Sequence, residues 1–221
     1  SKIITKIKIN SNSKNIENEI EFLINDSLKK LKIESVYAVL LHNPSCLLSS
    51  KGKVIFTILK KIKKIKKIEK IGISAYGLDE VKKIIKKFKI DIISFPYNPF
   101  DNRLFNSGII KQLKKKKIEI HTRSIFLQGL LLLDKKDRPK KFYKWKDYFK
   151  KFDNFLKKLN LSPLNYCLTY ALQSKHIDKI TIGVNNKQQL EQIFEVVNQV
   201  NLNLPKFAIK YNKNLANPSY W

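Results

Sequence analysis

Short apolar runs rich in isoleucine and valine alternate along this chain with stretches whose apolar residues recur every three or four positions. The first run, Ile3 to Ile7, precedes a helix predicted from Ile16 to Leu31, with Ile20, Leu23, Ile24, Leu28 and Leu31 on one face. Val36 to Leu41 follows, then a helix through Val54, Ile55, Ile58, Leu59, Ile62 and Ile65. Ile71 to Ser74 leads into a helix through Val81, Ile84, Ile85 and Phe88, and Ile90 to Phe95 into one through Ile109, Ile110 and Leu113. Ile118 to Ser124 opens a longer excursion, and the last run, Lys179 to Val184, feeds a helix through Leu190, Ile193, Phe194 and Val197. The runs are continuous instead of alternating, as in strands covered on both faces, so the pattern predicts βαβ units and a parallel sheet.

That makes the fold class α/β. A doubly wound open sheet and a (β/α)8 TIM barrel both satisfy it; the even succession, with no glycine fingerprint after any strand, favours the barrel. About six βα units can be counted where closure takes eight, so an incomplete barrel is expected, short of its beginning or its end. The chain starts at Ser1 and holds no methionine, which reads as a piece of something longer. Residues 1–221 are read as a single domain. It carries a helical loop insertion at about 133–160, rich in aromatics from Phe142 to Phe155, and an irregular C-terminal tail at about 199–221.

Charge changes the picture less than its size suggests. There are 45 Lys+Arg against 18 Asp+Glu, a formal net charge of +27, which raises nucleic acid as a partner. The lysines, however, interleave with isoleucine, as in KKIKKIKKIEK from Lys60 to Lys70, and give solvated helix faces opposite apolar stripes. Arginine is confined to Arg103, Arg123 and Arg138. Specific nucleic-acid binding is therefore not expected, and no run of about eighteen apolar residues offers a membrane span. Cys46 and Cys167 have no metal-type spacing and need no disulfide, so a reducing cytoplasm and no metal are expected. His121 and His176 read as structural.

In a barrel of this kind, chemistry sits at the C-terminal ends of the strands. Lys6 closes the run IITK and His42 closes VYAVLLHNP; a lysine leaving a buried strand is costly unless paired or functional. Ser74, Ser94 and Ser124 follow three further strands, with turn formation as the plain alternative for each.

The succession ITK, SLKKLKIESVYAVLLHNP, IGISAY, ISFPYNPFDNR, TRSIFLQGLLL and ITIGVNNKQQLEQI resembles the aldo-keto reductase family from its third strand onward, over nearly the whole chain. The resemblance implies an NAD(P)H-dependent oxidoreductase that passes hydride to an aldehyde, ketone or sugar carbonyl. It implies Lys6 and His42 as catalytic lysine and histidine, the lysine lowering the pKa of a proton-donating tyrosine and the histidine orienting substrate. That tyrosine and its partner aspartate belong to an earlier part of the family's fold and match no position here. Ser74 matches a carboxamide-contacting serine, although the usual following asparagine is Ala75. Ser94 stands where glutamine is common. Arg123 replaces an aromatic residue that stacks on the nicotinamide, which a planar guanidinium can also do. Ser124 and the backbone through Gly129 are expected to line the pyrophosphate. Gly183, Val184, Asn185 and Asn186, with Gln189, are expected at the adenosine phosphate, where Lys187 is the nearest candidate for a 2′-phosphate. NADP(H) is the implied cofactor, with NAD(H) as the alternative, and the partner is a small-molecule carbonyl substrate. A non-catalytic binding relative and a basic nucleic-acid-binding protein are the competing readings.

Overall fold

The computed structural model describes residues 2–199 and 203–221. Strand β1 (Ile4–Ile7) leads through helix α1 (Ile16–Leu31) to β2 (Val36–Leu41), and a 3-10 turn, Pro44–Leu48, precedes α2 (Gly52–Lys64). Then come β3 (Ile68–Ser74), α3 (Leu78–Lys87), β4 (Ile92–Pro96), the short α4 (Arg103–Asn106), α5 (Ile109–Lys115) and β5 (Glu119–Arg123). The excursion holds 3-10 turns at Leu130–Leu132 and Lys140–Trp145, then α6 (Lys146–Leu159) and α7 (Pro163–Leu172). The chain ends through β6 (Lys179–Ile180), α8 (Lys187–Asn198), α9 (Lys213–Ala216) and a 3-10 turn, Pro218–Tyr220. The six strands form one sheet in the order of the sequence, β1 to β6. The pairings of β1 with β2, β2 with β3, β3 with β4 and β5 with β6 are parallel, as helical crossovers require.

The chain clusters into two compact units. The first comprises residues 1–95 and 107–120, the second residues 96–106 and 121–221. In the first unit each helix buries a stripe and turns its lysines to water. In α1 the stripe is Ile16, Ile20, Ile24 and Leu28, between an Asn15 cap, whose side chain accepts from the Asn18 N–H, and a left-handed Lys32 at φ 54°. In α2 it is Ile55, Ile58, Leu59 and Ile62. Leu31, Val54 and Ile65, predicted within these stripes, stay exposed because they fall in terminal turns. One strand face carries Ala38, Leu40 and Ile92, packed together with Ile4 and Tyr37. Leu40, Gly72 and Ile92 share a register row, and a Cβ at Gly72 would collide with both neighbours. The Tyr37 hydroxyl donates to the Glu119 carboxylate at 2.8 Å and accepts from Lys70 Nζ at 2.6 Å, while Lys70 also pairs with Glu119. Residues of β2 and β5 touch here although β3 and β4 lie between them in strand order, so this wall of the sheet is strongly curved.

The second unit is built on aromatic rings. Phe142, Trp145, Phe149 and Phe152 of the insertion turn inward with Phe100, Tyr166, Tyr170 and Phe207. Helix α7, which the sequence pattern did not single out, buries six consecutive residues from Tyr166 to Ala171. A helix apolar all round carries no stripe to read. The run Lys179 to Val184 yields a strand of only two residues, and the predicted irregular tail contains α9 and a final 3-10 turn; of that tail, residues 200–202 lie outside the described residues. Both cysteines are buried free thiols, and burial pushes Cys46 up to about 11 and Cys167 higher still. Neither should react with Ellman's reagent at pH 8 in the folded protein, and both should in urea; rapid labelling of either thiol before unfolding would contradict their burial.

Candidate active site and cofactor cleft

In the first unit the residues singled out at strand ends fall on one strand face, in two register rows that lie two residues apart. Lys6 is opposite Leu40, which is opposite Gly72, opposite Ile92. Two residues toward the C-terminal ends, His42 follows the Leu41–Ile73 pair, and Ser74 is opposite Ser94. The His42 N–H donates to the Ile7 carbonyl at 2.8 Å, extending the ladder past β2. Asn43 next to it grips Ile9 twice, its Oδ1 accepting from the Ile9 N–H at 3.0 Å and its Nδ2 donating to the Ile9 carbonyl at 2.7 Å. The backbone under His42 is thus fixed by β1. Lys6 and His42 are exposed, and Ser74 and Ser94 are buried. Two hydroxyls, an imidazole and an ammonium on one face suit the binding and polarisation of a carbonyl oxygen.

In the second unit a cleft of about 700 Å³ is lined by Arg123, Ser124, Gly129, Gly183, Asn185 and Gln189, all expected cofactor contacts. Val184 is exposed and does not line it; Asn186 instead caps α8, its side chain accepting from the Gln189 N–H at 2.9 Å. Gln189 Oε1 in turn accepts from the Asn185 N–H at 2.9 Å, a reciprocal cap of the kind that fixes a helix entrance. The start of α7 also borders the cleft through Ser162, Pro163 and Leu164, with Ser162 as its cap. Two helices of ten and twelve residues therefore bring their N-terminal turns to one cavity, an arrangement that favours anionic groups.

The loop after β5 holds an uncommon backbone. Ser124, Leu127, Gln128 and Gly129 have φ of 57°, 50°, 57° and 82°. For the three non-glycine residues that conformation costs about 1–2 kcal/mol each, and such strain persists where the surroundings over-determine it, often at a binding site. The Leu127 N–H donates to the Ser124 carbonyl at 2.9 Å. Buried Asn98 donates to the same carbonyl at 3.0 Å, and its Oδ1 accepts from the Phe100 N–H at 2.9 Å. Asp101, fully buried, holds Arg103 through two 2.8 Å bonds; burial pushes its carboxyl up and the guanidinium pulls it back. The local sequence pattern assigns Asn98, Asp101, Ser162 and Gln192 no role. Asn-Pro after a buried strand was the available signal, but the partner of Asn98 lies 26 residues away.

The parallel six-stranded sheet with its helical crossovers defines an α/β protein. The sequence model of the aldo/keto reductase family matches residues 1–211, and the chain belongs to that family. Among solved structures it is similar to an aldo-keto reductase from Bacillus halodurans in its holo form, at 16% identity and a TM-score of 0.70, covering 97% of this chain and 75% of that one. The glycerol dehydrogenase from Gluconobacter oxydans is similar at 16% identity and a TM-score of 0.61, covering 95% and 76%. A Pseudomonas aeruginosa chain assigned to the same family gives 14% and 0.60, covering 89% of this chain and 66% of its own length. The chain thus spans about two thirds to three quarters of the structures it matches. No curated protein sequence matches it.

Proposed function

We propose that this protein is an NAD(P)H-dependent oxidoreductase that reduces an aldehyde, ketone or sugar carbonyl. The observation that carries the reading is the cleft of the second unit, where residues that the family pattern assigns to the cofactor converge with two helix N-termini. Its volume suits a sizeable ligand. When bound, the nicotinamide supplies hydride. Of the chain's own residues, Arg123 stacks on the ring; Ser124 and the strained backbone through Gly129 take the pyrophosphate; Gly183, Asn185 and Gln189, with Asn186 behind them, take the adenosine phosphate. Ser74 and Ser94 offer hydroxyls to the carboxamide. Lys6 supplies positive charge for the developing alkoxide and His42 orients the substrate oxygen. The family's proton-donating tyrosine and its aspartate have no matching position in this sequence, so no proton donor is assigned among these residues.

NADP(H) is the preferred cofactor in this reading, with Lys187 at the 2′-phosphate; Lys187 is exposed and within 3.3 Å of Glu191. Among the described residues no helix is long and apolar enough to cross a membrane, and with two unbridged cysteines we assign the protein to the cytoplasm. The test is titration of the folded chain with NADPH and NADH, following nicotinamide fluorescence at low and high salt so that the +27 charge does not masquerade as a site. Saturable binding that survives salt and weakens about tenfold in Arg123→Ala is expected, a loss of about 1.4 kcal/mol. A folded chain that binds neither cofactor would sink the proposal.

A further inference from the structure

A second cleft of about 690 Å³ lies in the second unit, between the segment around Arg138 and helix α6. It shares no lining residue with the cleft at Arg123. Arg138 forms its fixed point. The guanidinium, 9% exposed, holds both oxygens of Asp153 at 2.6 and 2.7 Å and lies 4.7 Å from the centroid of the buried Phe149 ring. That pair neutralises itself. What remains on the lining is Lys135, Lys140, Lys146 and Lys150 against one carboxylate, Asp147. Among the described residues no carboxylate engages these four ammonium groups. Tyr143, 69% exposed, offers an open ring on the same wall, with Lys146 Nζ 4.9 Å from its centroid.

On α1 and α2 the lysines are spread over solvated helix faces; here four of them surround one concavity. Ammonium groups bind phosphates as point charges, without the fork geometry that arginine needs. A single phosphate would leave most of the volume empty, while an exposed tyrosine beside cations is a stacking platform for a base. We infer that this cleft binds a small organic polyphosphate of the nucleoside di- or triphosphate class, at a site separate from the proposed dinucleotide cleft.

The molecule carries its own probe. Both tryptophans in the chain flank Phe142 on the cleft wall, Trp145 at 6.0 Å and Trp221 at 4.8 Å between ring centroids. Tripolyphosphate, which does not absorb in the near ultraviolet, should change the tryptophan fluorescence of the full chain saturably, and calorimetry should show adenosine triphosphate binding several-fold more tightly. Lys140→Ala/Lys146→Ala should weaken both by about tenfold, as expected for two half-solvated ion contacts, whereas Lys60→Ala/Lys64→Ala on α2, with the same change of charge, should stay within about twofold. Tyr143→Ala should remove the advantage of the nucleotide over tripolyphosphate. Equal weakening by both lysine pairs would overturn the assignment in favour of diffuse surface charge. Loss of nucleotide binding in Arg123→Ala alone would return the ligand to the cofactor cleft. Tighter binding of a single-stranded oligonucleotide than of the mononucleotide would replace the small ligand with a nucleic acid.

Discussion

Phe152→Ala should cost this protein about 4 kcal/mol of stability, enough to consume a large part of what a chain this size possesses. Phe152 is 0% exposed and meets three rings at once. Phe100 lies at 5.4 Å with planes at 86°, Phe207 at 5.3 Å and 67°, and Tyr166 at 6.0 Å and 63°. Truncation removes a ring's worth of buried area and leaves a cavity whose walls come from α6, α7 and two loops, which cannot all close in on it. Edge-to-face contacts add about 0.5–1.5 kcal/mol beyond area, so Phe152→Leu, which keeps most of the volume, should still lose about 1 kcal/mol. Urea denaturation followed by far-ultraviolet dichroism measures both. A shift below about 1 kcal/mol for the alanine variant would mean that the ring cluster is not the core of its unit.

Gly52→Ala is the second large effect, and its sign is the informative part. Gly52 opens α2, and helix propensity alone would make alanine better there by as much as about 1 kcal/mol. A Cβ at this position, however, would fall well inside contact distance of the Leu47 carbonyl oxygen and carbon, in the 3-10 turn that the Gly52 N–H follows through its 3.0 Å bond to the Ser49 carbonyl. The obstacle is backbone and cannot rotate away. Displacing it would disturb Leu47 and Cys46, both buried. Overpacking of this kind costs about 3 kcal/mol, so the net loss should be about 2 kcal/mol or more. A stabilised variant in the same urea titration would refute the close crossing.

How far the sequence carries depends on the period of each element. Helix α1 and strand β2 have the bounds that the pattern predicted, because an apolar stripe with a polar face opposite and a continuous run of six apolar residues each leave one reading. Helix α7 was invisible for the opposite reason, being buried on every side. The candidate catalytic and cofactor residues were readable only by their place after apolar runs and by family pattern. The left-handed turns at Leu127 and Gln128 run against what L-residues favour, so only Gly129 announced them. Asn98 and the Arg138–Asp153 clamp depend on partners 26 and 15 residues distant, and no local pattern encodes those pairings.

The path of the chain has a further consequence. It leaves the first unit after Phe95, contributes residues 96–106 to the second, returns for 107–120 and only then departs for good. Tyr97, Asn98 and Phe100, which build the aromatic core and brace the strained loop, are all on that early excursion. No single scission therefore yields either unit whole. A fragment beginning at His121 would lack Tyr97 and Phe100 of its aromatic core, and one ending at Ile120 would carry an orphaned piece of its neighbour.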